Sequence, residues 1–128
     1  MQLEELFKSI IDQDKMPIVI CDDKHKIVYL NDAADINYAK YGGRKVLLNK
    51  SILDCHNKQS QEKIIEVVNW FKESKDNNYV HTFYNPKQNK DVYMIALRDN
   101  NGSLIGYYEK HESRNIDTTP LYDLKKDN

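Results

Sequence analysis

Apolar residues open the chain at Leu3, Leu6, Phe7, Ile10 and Ile11, the i, i+3, i+4, i+7, i+8 spacing of one helical stripe. Residues 2 to 13 are therefore predicted as an amphipathic helix. Pro17 stops helical continuation and biases Met16 toward an extended conformation. The period then changes. Residues 16–22, MPIVICD, read as a strand apolar on both faces, and 26–31 as a second β-rich run. The polar Asp22-Asp23-Lys24-His25 between them makes a hairpin of the two.

Asn31 or Asp32 can cap a helix running to Tyr41, with Gly42-Gly43 as a left-handed stop. Residues 44–57 are mixed in character and predict short helical turns. A longer helix begins between Asn57 and Ser60, with Ile64, Ile65, Val67, Val68 and Phe71 on one face and Glu62, Lys63, Glu66 and Lys72 solvated. Asp76-Asn77-Asn78 ends it. Three β-rich runs follow near 78–85, 91–98 and 103–111, joined by Asn-, Gly- and Pro-bearing connectors suited to hairpin loops. This order of elements predicts an α+β fold, an antiparallel sheet with helices on one face.

Composition narrows the function classes. The chain's 128 residues fit one domain, divided as a flanking helix at 1–13, a core domain at 14–112 and a polar tail at 113–128. A net charge of −1 implies no bulk attraction to nucleic acid or to an anionic membrane. No apolar run approaches the ~20 residues of a membrane span, and the acidic start Gln2-Leu3-Glu4-Glu5 is unlike a signal peptide. A cytoplasmic location is the expectation. Cys21 and Cys55 then read as thiols. Without CxxC or HExxH spacing, no metal site is expected. No constellation of nucleophile, base and orienting group appears either, and an enzyme is not expected.

Three stretches carry a resemblance. IVYLNDAADINYAKYGG (27–43) supplies a strand, Asn31, the small Ala33 and Ala34, then Tyr41 and Gly42. ALRDNNGSLIGYYE (96–109) supplies Arg98-Asp99, Gly102 and Gly106. LLNKSILDCHNKQSQEKI (47–64) supplies a Cys-His pair ahead of a helix start. Together they resemble the PAS family, in particular a subgroup with that Cys-His pair, over residues 14 to 112. At the end the chain departs from the family's frequent Asp-Ile-Thr by reading HESRN (111–115). The resemblance implies a five-stranded sheet in the order 2-1-5-4-3, a ligand held between the sheet's inner face and the helices, and a sensory or regulatory role.

Matching the strands to PAS relatives turns Val19, Cys21, Phe83, Met94, Leu104, Gly106 and Tyr108 inward. The expected ligand-binding set is therefore Cys21, His56, His81, Phe83, Met94, Leu104 and Tyr108. The ligand is expected to be small and mostly apolar, with His81 and Tyr108 as polar contacts and His56 near the rim. An alternative occupant is haem, since neutral imidazole is a good axial ligand and His56 or His81 could serve. Flavin photochemistry is not expected, because Ile52 stands where flavin-binding relatives place the reactive cysteine. The stripe Leu3, Leu6, Phe7, Ile10 and Ile11 needs a partner, because a helix this short is marginal in water. It is expected either to dock on its own domain or to form a homodimer. A ligand-free module signalling through a partner protein is the remaining alternative.

Overall fold

The N-terminal stripe does form a helix, α1 (Leu3–Gln13), but its apolar side chains are not covered. Leu3, Leu6, Phe7 and Ile10 are 43–68% exposed, and only Ile11 is half-buried against the domain. Polar side chains anchor the helix end: the Tyr29 hydroxyl donates to Asp12, and Asn31 reaches the backbone. Asn31 is fully buried, and its Nδ2 donates to the carbonyls of Ile11 (2.9 Å) and Met16 (3.1 Å). Its Oδ1 accepts from the amides of Ile18 and Ala34, 3.0 Å each. One amide thus ties α1, the first strand and the cap of the next helix together. The computed structural model describes residues 2–124.

The strands are β1 (Ile18–Asp22), β2 (Ile27–Leu30), β3 (Tyr79–Asn85), β4 (Lys90–Arg98) and β5 (Leu104–Ser113). They form one antiparallel sheet in the order β2-β1-β5-β4-β3, as predicted. Between β2 and β3 lie α2 (Asp32–Asn37), a 3-10 turn (Ala39–Tyr41), α3 (Gly43–Leu47), a second 3-10 turn (Ile52–Cys55) and α4 (Lys58–Glu73). The helix predicted to reach Tyr41 ends early at Asn37. Gly42 and Gly43 nonetheless take the positive φ, 99° and 61°, that the turn requires.

The core fills one side of the sheet. Val19, Cys21, Ile27, Leu30, Met94 and Tyr107 pack there against Ile52, Ile64, Val68 and Phe71. Arg98, on β4, closes the C-terminal end of α4. Its guanidinium donates to the carbonyls of Phe71 (2.7 Å) and Ser74 (3.0 Å), which the helix end leaves without intrahelical partners, and to that of Asn77 (3.0 Å) in the turn beyond. At Gly106 the backbones of β5 and β1 lie so close that an added Cβ would stand 2.3 Å from the Cys21 carbonyl oxygen.

Candidate functional site

A cleft of about 690 Å³ opens beside this core, between the sheet and the N-terminal half of α4. Val92 and Met94 of β4 form its floor with Glu109 and His111 of β5, Phe83 of β3 stands at its edge, and Ile64 of α4 faces the sheet. Tyr38 and Asn37 at the end of α2, and Cys55 and His56 ahead of α4, close the other side. Pairing explains the floor: Met94 lies opposite Glu109, and Val92 opposite His111, so these side chains share the inner face.

Glu109 is the buried centre of a polar cluster. The Tyr38 hydroxyl donates to its Oε1 at 2.7 Å, His111 Nε2 lies 3.6 Å from Oε1, and His56 Nε2 lies 3.9 Å from Oε2. Burial pushes this carboxyl up, but His111, the charge of His56 and the Tyr38 hydroxyl outweigh it and hold it below its ordinary value. Burial and the adjacent Glu109 charge push the Tyr38 hydroxyl well up. His56 Nδ1 donates to the Ile52 carbonyl at 2.9 Å, leaving Nε2 facing Glu109. Burial pushes the Cys55 thiol up to about 12 and raises Cys21 further still, so both are inert thiols rather than nucleophiles. Lys90, the first residue of β4, is buried with its ammonium donating to Asn37 Oδ1 at 3.2 Å.

Known proteins resemble this chain in shape rather than in sequence. No family model matches it, and no curated protein does. Among solved structures, a PAS domain from Colwellia psychrerythraea superposes with a TM-score of 0.65 at 11% identity, over 88% of this chain and 97% of that one. The PAS domain of BvgS from Bordetella pertussis does so with a TM-score of 0.61 at 16% identity, over 88% and 87%. A sensory box sensor histidine kinase from Vibrio cholerae gives 0.59 at 12% identity, over 86% and 90%. The fold is that of a PAS domain.

On this PAS sheet the predicted site residues fall into three places. His56, Phe83 and Met94 line the cleft together. Cys21 and Leu104 sit in or against the filled core, away from it. His81 and Tyr108 stand on the opposite face of the sheet, which corrects the expected set. His81 stacks on Tyr93 with ring centroids 4.8 Å apart and meets Asp91 Oδ1 at 2.7 Å. Tyr108 pairs with Ile95 and Ile20.

Two bulges cause the reversal. The register shifts between Leu97 and Arg98, where Gly106 and Leu104 are the successive partners and Ile105 is the extra residue. Leu104 stays inward, but the inner face then passes to Tyr107, Glu109 and His111. A second shift between His81 and Phe83 leaves His81 outside and brings Phe83 to the cleft.

Sequence reasoning missed Tyr38, Lys90, Glu109 and His111. The period-2 spacing of Tyr107, Glu109 and His111 was the signal available for the last two. Haem does not suit these residues. His81 is outside the cleft, and His56 aims its remaining nitrogen at Glu109 across 3.9 Å, too short a gap for a porphyrin. Among the described residues, no group of three His, Cys, Asp or Glu side chains could hold a metal ion, and no helix is long and apolar enough to cross a membrane.

Proposed function

We propose that this PAS-fold chain is a sensory or regulatory module that binds a small, mostly apolar molecule in the cleft and signals through self-association or a partner protein. The observation that carries the reading is the cleft itself. Its 690 Å³ falls within the ~300–1,000 Å³ of small-molecule sites, and it sets an apolar patch of Val92, Met94, Phe83 and Ile64 within a largely polar lining that includes His56, Lys90, Glu109 and His111. The sensor kinase among the structural neighbours is consistent with a sensory role. The uncovered α1 stripe supports self-association, with a second copy of the chain as the partner. Helix α2 spans the two, with Asn37 at its end lining the cleft and Asn31 at its cap holding the end of α1, which supports coupling between them.

Met94 packs into the core at the cleft floor, and the larger side chain of Met94→Trp is expected to project into the space a ligand needs. In a thermal-shift screen of small organic molecules, binders are expected to raise the melting temperature of the native chain and to leave Met94→Trp unmoved. Compounds that stabilise both proteins equally would place binding elsewhere and reject the reading. A ligand-free Met94→Trp destabilised by about 1–3 kcal/mol would mean that the floor was already packed.

A further inference from the structure

Four lysines but only one acidic residue line the cleft: Lys40, Lys63, Lys87 and Lys90 against Glu109. The single carboxylate is already engaged by Tyr38, His56 and His111. Lys40, Lys63 and Lys87 are exposed, and water solvates them. Lys90 is different. It is 6% exposed, its one side-chain hydrogen bond goes to the neutral Asn37, and among the described residues no carboxylate lies within ion-pair distance of it. A buried ammonium has three donors and is costly to hold without a counter-ion.

A second buried group beside it is also incomplete. His111 is 7% exposed; its Nε2 faces Glu109 Oε1 at 3.6 Å, longer than a hydrogen bond, and its Nδ1 has no partner. It lies opposite Val92, and Val92 follows Lys90 by two residues on the same strand face. A cation and an imidazole whose Nδ1 is unpartnered thus share one end of the cleft.

Building on the small-molecule reading above, we infer that the ligand is an organic monoacid whose carboxylate pairs with Lys90 next to His111. Its apolar body runs along Val92 and Met94 toward Phe83 and Ile64. Lys90 and Met94 are four residues apart on one strand, about 13 Å of extended backbone, which gives the ligand its axis. Lys90 has no carboxylate at ion-pair distance, and Glu109, which acts on it only from further off, already supplies one negative charge to this end of the cleft, which favours a singly charged carboxylate over a doubly charged phosphate. The mostly apolar ligand expected from sequence thereby acquires an acidic head.

The test uses hexanoate and its neutral isostere hexanamide, titrated into the full chain and followed by amide chemical shifts. Hexanoate is expected to bind at least about tenfold more tightly than hexanamide, with shifts at Lys90, Val92, Met94 and His111. Lys90→Gln should bring hexanoate down to the affinity of hexanamide, and Lys90→Arg should restore most of the difference. Because the two probes are compared on the native chain, the result does not depend on a variant folding. Equal binding of both probes in the cleft overturns the acidic head and leaves the small-molecule reading standing. Binding of neither probe overturns both, and tighter hexanoate binding with shifts confined to the exposed Lys40, Lys63 and Lys87 overturns the role of Lys90.

Discussion

Glu109 shows how one residue can be read wrongly from pattern and plainly from packing. Within YYEKHE it looks like a strand residue facing water, yet it is 6% exposed and holds Tyr38. The reason lies upstream, in the extra residue Ile105, because a one-residue change in pairing turns every following side chain over. The same displacement put Tyr108 inside on paper and Tyr107 inside in fact. His56, Phe83 and Met94 were legible because they precede or escape that shift. Lys90 was not, since a lysine at a strand start ordinarily reads as solvated.

The environment of Glu109 gives a pH dependence with a definite sign. Its folded pKa lies below the ordinary value of 4.5, so the unfolded chain binds the proton more readily than the folded one. The stability it contributes is complete above that ordinary value and is lost as pH falls through the lower folded value. Urea unfolding between about pH 5 and pH 3 should therefore show the native chain losing stability faster than Glu109→Gln, which keeps the Tyr38 contact and lacks the titrating charge. Parallel pH profiles for the two proteins would contradict this account of the cluster.

Among the elements, α1 was the most legible in sequence and the least settled in its role. Five apolar residues at helical spacing fix the element, but spacing does not say what covers them. In the fold, Ile11, the Asn31 tether and the Tyr29–Asp12 hydrogen bond hold only the C-terminal end, and Lys8 reaches forward to Asp12 at 2.7 Å along the helix. Fully burying a Leu, Ile or Phe side chain is worth roughly 1.5–3 kcal/mol, so even partial cover of Leu3, Leu6, Phe7 and Ile10 would support a dimer. Deleting residues 1–13 should weaken self-association at least about tenfold, as read by sedimentation equilibrium, while leaving the sheet's circular dichroism unchanged. An unaltered association constant, or none to measure, would assign the helix no part in self-association. The hairpins were readable from their Asn, Gly and Pro connectors. The break of the predicted helix after Asn37 was not, because Ala39, Lys40 and Tyr41 carry no breaker of their own.

For the molecule as a whole, element order alone led to the antiparallel sheet with helices on one face, and the PAS resemblance supplied its strand order. The cleft needed more than order. It depends on where two bulges fall and on how α2 ends, and neither is written in a local period. What results is a packed core continuing into a cleft whose polar groups are partly unanswered. The direct test of the central claim is native mass spectrometry of the full chain purified from cells, followed by identification of any compound released on unfolding. The account predicts a bound small organic acid on the native chain and none on Met94→Trp. The same mass for both proteins, each free of any bound compound and each unresponsive to added organic acids, would contradict it.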